Sequence, residues 1–295
     1  MTDKTSIILA PAKVNLNLAV TGRNEAGYHQ LLSLVVFTSF GDKLHITPAP
    51  HHHVTLSGPF GPALDKAGGD ALLAKSAALF QEVCGEDTAY HIHLEKQIPL
   101  GGGLGGGSAD AGAFLRFLAR NDHEKQILRD QALFLGADVP ACFDSHMQIM
   151  TAAGEQAYYC KAPQDLPVMV LVNPHCHADT TSIFAAFKDK QTAFSTLDQQ
   201  NLADWAHTGS WDKILEAGND LSAVAIALYP AIGDMLTLMK SQGQKHGSDF
   251  IGAAMTGSGA SAFALFQNEV AAKSYEMDLQ KTGLWAVSTA IKTAP

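Results

Sequence analysis

The stretch Pro99-Leu100-Gly101-Gly102-Gly103-Leu104-Gly105-Gly106-Gly107-Ser108-Ala109-Asp110 governs the reading of everything around it. Glycine fills six of the seven positions from Gly101 to Gly107. Such a run buries no side chain and loses more backbone freedom on ordering than any other residue type, so a ligand or a close backbone approach must compensate. From Ser108 to Arg120 the apolar residues Ala111, Phe114, Leu115 and Leu118 recur at helical spacing, and the glycines therefore lead into a helix N-terminus. Bare N–H groups and the positive end of the helix dipole coincide there, an arrangement that suits an anion and above all a phosphate.

Upstream, Tyr90, Ile92 and Leu94 alternate with Ala89, His91 and His93, the pattern of a half-exposed strand. Gly101, Gly103 and Gly106 match a dinucleotide fingerprint formally, but the first strand of that fold is buried on both faces. The polar run Asn121-Asp122-His123-Glu124-Lys125 also stands where its second buried strand belongs. A Walker A loop needs a lysine before its hydroxyl residue, and Gly107 precedes Ser108. A flexible linker rarely joins a strand to an amphipathic helix. A third kind of phosphate loop remains.

The chain has 295 residues, 46% hydrophobic and 17% charged, which is enough apolar mass for two domain cores. A net charge of -9 argues against a nucleic-acid partner, because phosphate neutralisation needs a basic face. Ser6-Ile7-Ile8-Leu9-Ala10 is too short for a signal-peptide core and no apolar run reaches membrane-spanning length, so no membrane partner and a cytoplasmic location are expected. Cys84, Cys142, Cys160 and Cys176 are scattered without paired spacing. His51-His52-His53 follows Pro48-Ala49-Pro50 in a turn and reads as solvated, and His175-Cys176-His177 has no third ligand nearby, so no protein-built metal site is expected.

Ser6 to Gly22 reads as two strand pieces bent at Pro11, with Lys13, Asn15 and Asn17 on one face. A loop from Gly22 to Gly27 ends at Tyr28-His29, an aromatic and an imidazole suited to gripping a planar ligand. Strands are expected at Leu31 to Phe40, Lys43 to Thr47 and Val54 to Ser57, and a helix from Asp70 to Val83. A further helix with Asp122 as N-cap stops at Gly136, before Asp138 in the turn Gly136-Ala137-Asp138-Val139-Pro140. Asp179-Thr180-Thr181 signals a helix start ahead of Phe184, and a helix over Leu221 to Met239 carries Pro230 as a kink or break. Phe250 to Ala254 and Ala262 to Phe266 read as strands around the small-residue turn Thr256-Gly257-Ser258-Gly259-Ala260.

Pro11-Ala12-Lys13-Val14-Asn15-Leu16, Gly27-Tyr28-His29, the glycine loop, Gly136-Ala137-Asp138-Val139-Pro140 and Thr256-Gly257-Ser258-Gly259-Ala260 occur in the order seen in the GHMP kinases. The resemblance spans nearly the whole chain. It implies an α+β, two-domain fold: a ribosomal protein S5 domain 2-like N-terminal domain over residues 1–160 that binds ATP, and a ferredoxin-like C-terminal domain over 161–295 that binds substrate. It implies ATP-dependent phosphorylation of an alcohol on a cytidine diphosphate-linked methylerythritol, by a monomer or weak homodimer. Pro99, Leu100, Gly101, Gly102, Gly103, Leu104, Gly105, Gly106, Gly107 and Ser108 would hold ATP, with Ser108 near Mg²⁺. Asp138 and Lys13 would be catalytic, and Asn15, Tyr28, His29, Asp138, Thr180 and Phe184 would hold the substrate.

Two positions depart from that family's pattern. Ala109 stands where a second serine is usual, so a role for that hydroxyl is absent, and Gly69-Asp70-Ala71-Leu72 replaces an Asn-Leu pair, leaving Lys96 as the candidate for lining the adenine pocket. A mevalonate- or homoserine-kinase-like enzyme and an inactive nucleotide sensor are the alternatives. Tyr28-His29 argues against the first, and Lys13 with Asp138 against the second.

Overall fold

A computed structural model of the chain describes residues 5–25, 27–85, 88–190 and 193–293. Ala26, in the loop read from Gly22 to Gly27, lies outside them. Strands β1 (Ser6–Asn15), β2 (Ala19–Arg23), β3 (His29–Pro48) and β4 (His53–Ser57) precede helices α1 (Gly61–Lys66) and α2 (Ala71–Cys84) and strand β5 (Tyr90–Glu95). The glycine loop opens into α3 (Gly106–Leu118), followed by α4 (Asp122–Gln131), α5 (Val139–Asp144), β6 (Gln148–Ala152) and β7 (Gln156–Tyr159). Then come β8 (Val168–Asn173), α6 (Thr180–Asp189), α7 (Gln199–Thr208), α8 (Trp211–Ala217), α9 (Ser222–Leu228) and α10 (Pro230–Gly243). Strands β9 (Phe250–Met255) and β10 (Ala262–Phe266), helix α11 (Glu269–Gln280) and strand β11 (Trp285–Ala290) finish the described chain.

The first sheet is built on β3. Both β1 and β2 pair with it antiparallel, β5 and then β4 extend the sheet from its Pro48 end, and β6 and then β7 from its His29 end. The two strands expected at Leu31 to Phe40 and Lys43 to Thr47 are one, because the chain passes through Gly41-Asp42 without turning. A Cβ on Gly41 would stand 2.1 Å from the Ala10 carbonyl oxygen, so only glycine lets β1 cross there. The register of β1 shifts between Pro11 and Lys13 at this crossing. The bend expected at Pro11 is thus a bulge within one strand, a device that re-aims the side chains beyond it.

Helices α2, α3, α4 and α5 cover one face of this sheet, where Leu44, Ile46 and Leu94 pack with Leu73, Phe80, Phe114 and Leu115. The second sheet runs β11-β8-β10-β9, antiparallel throughout, with the last strand beside the first as in a ferredoxin-like domain. Between the sheets, Val14, Leu34 and Val36 meet Met169, Leu171, Phe263 and Leu265. Each large side chain buried here contributes about 1.5–3 kcal/mol, so this layer holds the two halves in fixed relation. The α+β architecture expected from the sequence is the one that forms.

Some local readings shift. The cap of α4 is Asn121, not Asp122: Asn121 is extended and its Oδ1 accepts from the Glu124 N–H at 2.9 Å. Pro230 breaks the long helix into α9 and α10, opening α10 where its missing N–H would be unpaired anyway. The six-residue helices α1 and α5 were not anticipated. No helix among the described residues is long and apolar enough to cross a membrane.

Candidate active site

The glycine loop adopts left-handed backbone at every second position, with φ of 59° at Gly101, 74° at Gly103 and 66° at Gly105. L side chains resist that conformation. Space is also closed: a Cβ on Gly103 would lie 2.6 Å from the Gly259 carbonyl oxygen and 2.8 Å from that of Thr256. The loop is fastened on both sides, by Lys13 N–H donating to the Leu104 carbonyl at 3.0 Å and Ser261 N–H donating to the Gly102 carbonyl at 2.9 Å. Helix α3 starts at Gly106, two residues before the start expected at Ser108, so Gly106, Gly107 and Ser108 have no carbonyl within the helix to donate to. Gly103→Ala is expected to introduce about 1–3 kcal/mol of backbone strain. Calorimetric titration with a non-hydrolysable ATP analogue should record weaker binding than to the unaltered protein.

Opposite the loop, the bulge in β1 aims Lys13 at the turn that opens α5. Its ammonium, on a residue only 5% exposed, donates to Asp138 Oδ2 at 2.7 Å. These residues are 125 positions apart in sequence. The pair, the loop and the N-terminus of α6 enclose one cavity of about 510 Å³. Lys13, Asn15, Lys96, Pro99 to Ser108, Asp138, Thr180 and Phe184 all line it. Thr180 is held within the second half by a 2.7 Å hydroxyl contact with Ser258.

Two expected substrate residues stand apart from that lining. Tyr28 is 67% exposed, whereas the His29 ring packs at a tilt beside Phe184 and edge-on to Phe187, each at 5.5 Å between centroids. Burial, then the charges of Arg23 and Lys188, hold the His29 imidazole below its ordinary range, and its Nε2 is buried without a partner among the described residues.

Lys96 is also not what the sequence suggested. Its ammonium donates to Asp42 Oδ2 at 2.7 Å and to Asp110 Oδ2 at 2.5 Å, all three side chains being buried. Its ammonium, engaged by both carboxylates, braces the loop from beneath. Leu64 and Leu72 supply the apolar wall on that side of the cavity, with the polar Asp70 beside them, and the Leu72 side chain lies 3.5 Å from where a Cβ on Gly107 would stand. Leu64 belongs to α1, whose signal was the Gly61-Pro62 start.

Residues 71–148 match the family model described as GHMP kinases N terminal domain, and residues 198–282 the one described as GHMP kinases C terminal. The fold and the site thus define an ATP-dependent small-molecule kinase. A 4-diphosphocytidyl-2-C-methyl-D-erythritol kinase of Agrobacterium fabrum is 38% identical over 282 residues, covering 92% of this chain and 91% of that protein. The enzyme of the same name from Rhodopseudomonas palustris is 39% identical over 276 residues, covering 90% and 87%. A solved crystal structure of a 4-(cytidine 5'-diphospho)-2C-methyl-D-erythritol kinase superposes with a TM-score of 0.76 at 28% identity, covering 98% of this chain and 100% of that one. The chain belongs to the 4-diphosphocytidyl-2-C-methyl-D-erythritol kinase family of the GHMP kinases.

Proposed function

We propose that this chain transfers the γ-phosphoryl group of ATP to the 2-hydroxyl of 4-diphosphocytidyl-2-C-methyl-D-erythritol, giving the 2-phosphate and ADP. The observation that carries the reading is the 2.7 Å Lys13–Asp138 pair facing the glycine loop across one cavity. Residues 1–160 supply the loop, the pair and Asn15, and residues 161–295 supply Thr180 and Phe184. The four cysteines, none in a disulfide, support a cytoplasmic location, and the chain acts as a monomer or weak homodimer.

Phosphoryl transfer asks a protein mainly for positioning and charge stabilisation. Asp138 accepts the proton of the attacking hydroxyl as the new oxygen–phosphorus bond forms and the bond to the ADP oxygen breaks. Lys13 holds that carboxylate in place and offsets negative charge gathering beside it. The N–H groups of Gly106, Gly107 and Ser108 and the α3 dipole face the phosphates. The site suits Mg²⁺, which takes one or two protein oxygens and completes its shell with phosphates and water: the Ser108 hydroxyl lines the cavity beside the loop and would hold the ion, which neutralises phosphate charge when bound.

Phe184 is the flat surface for the cytosine ring, and the His29 Nε2, without a partner among the described residues, is the hydrogen-bonding group beside it. Because His29 titrates below 6.5, it is neutral through neutral pH. The KM for the cytidine-bearing substrate is expected to stay level down to that pH and to rise only as the imidazole protonates below it. His29→Ala should weaken this substrate by roughly 1–3 kcal/mol and abolish the acid rise, leaving the KM for ATP unchanged. A pH-independent KM in the unaltered enzyme would remove His29 from the site.

A further inference from the structure

Asn15 on β1 and Ser33 on β3 are diagonal neighbours, Asn15 standing opposite Val35, with Asn17 just beyond the end of β1, and their hydrogen bonds admit one arrangement. The Leu34 N–H can only donate, and it donates to Asn17 Oδ1 at 2.7 Å. Asn17 Nδ2 therefore turns the other way, to the Leu32 carbonyl at 3.3 Å, and the Asn17 side chain brackets Ser33 on both sides. The Asn17 carbonyl can only accept, and the Ser33 hydroxyl gives it its single proton at 2.5 Å. Ser33 Oγ is left as an acceptor, so its 2.7 Å partner on Asn15 must be the donor Nδ2.

The consequence falls on the other atom of that amide. Asn15 is 5% exposed and lines the cavity, its N–H donates to Thr256 Oγ1, and its Oδ1 has no partner among the described residues. That oxygen lies beside Gly257, another lining residue, 3.4 Å from where a Cβ would stand. A buried acceptor without a donor is costly, so it marks where a ligand group belongs.

We propose that Ser33 is a positioning residue that locks the Asn15 amide with its oxygen toward the cleft, so that the site selects an alcohol presenting a hydrogen-bond donor at that point. This rests on the reading of Asn15 as a contact to the alcohol substrate. With the Ser33 hydroxyl removed, the amide is free to flip, and a flipped Asn15 presents a donor where an acceptor is required.

The test is a double-mutant cycle measured in steady-state kinetics with ATP and the cytidine diphosphate-linked alcohol. Ser33→Ala should raise the KM for the alcohol about 3- to 12-fold, the range for one lost hydrogen bond, without moving the KM for ATP. Ser33→Thr keeps the hydroxyl and should restore the KM to within about twofold. In an Asn15→Ala background Ser33→Ala should have no further effect, since Ser33 acts only through the amide. Ser33→Cys, a poor acceptor of similar size, gives the same readout should the alanine variant lose its fold. An undiminished Ser33→Ala effect in the Asn15→Ala background, or a KM for ATP rising in step with that for the alcohol, would overturn the proposal. If the unaltered enzyme phosphorylates a different alcohol, the substrate assignment fails by itself, and the same cycle run on that alcohol still decides the role of Ser33.

Discussion

Asp138→Asn should lower kcat by about two to four orders of magnitude while a non-hydrolysable ATP analogue binds as before. The amide oxygen can still accept from the Lys13 ammonium, so the 2.7 Å contact that shapes the turn survives the change. What is lost is the capacity to take a proton from the attacking hydroxyl. The phosphate cradle, built from Gly101 to Ser108 and fastened to Lys13 and Ser261 through backbone bonds, contains no atom of Asp138. Single-turnover kinetics beside calorimetry separates the two effects. Near-normal turnover in a folded variant would place the base elsewhere.

Lys96→Met is expected to destabilise the fold by about 3–5 kcal/mol at neutral pH, read as a lowered denaturant midpoint, because it leaves two buried carboxyls without their cation. Burial pushes the Asp42 and Asp110 carboxyls above their ordinary range, against the pull of Lys96. Burial alone would lower the Lys96 ammonium, but Asp110 and Asp42 outweigh it and hold it above the usual lysine range. The signs give the pH dependence. In the unaltered protein Lys96 contributes stability that is present below 10.5 and lost only as pH rises through its higher folded value. In the variant the two carboxyls favour the folded state only when protonated, so the deficit should shrink as the solution is made acidic. Asp42 Oδ1 also accepts from the Gln97 and Ile98 N–H groups at 2.6 and 2.8 Å, so the same substitution should loosen the entry to the glycine loop and weaken ATP. A midpoint unchanged at neutral pH would mean that the triad braces nothing.

What could be read from the sequence was whatever a local pattern carries. The glycine run announced a phosphate site because no packing role accounts for so many glycines ahead of a helix. The helix spacing after it and the alternation in β5 fixed its strand-loop-helix setting. The pairing of Lys13 with Asp138 was available only through resemblance, since no local pattern measures a contact between residues so far apart. Asp42 escaped notice because Gly41-Asp42 looks like a turn, and only the crossing of β1 over Gly41 shows it to be continuous strand. No local pattern singles out Asp110, which is fully buried against Lys96. Tyr28-His29 reads as a pair because an aromatic and an imidazole end one loop, and no local pattern shows that Tyr28 is exposed while His29 packs against Phe184 and Phe187.

The central claim is that the cleft between the glycine loop and the Lys13–Asp138 pair phosphorylates a cytidine diphosphate-linked alcohol. Its most direct test is phosphorus NMR of the purified enzyme incubated with ATP, Mg²⁺ and, in separate reactions, 4-diphosphocytidyl-2-C-methyl-D-erythritol, mevalonate and homoserine. The predicted result is ADP together with a new phosphomonoester resonance in the first reaction, the diphosphate bridge intact, and neither signal above background in the other two. ADP and a phosphomonoester from mevalonate or homoserine, with the cytidine compound left untouched, would contradict it.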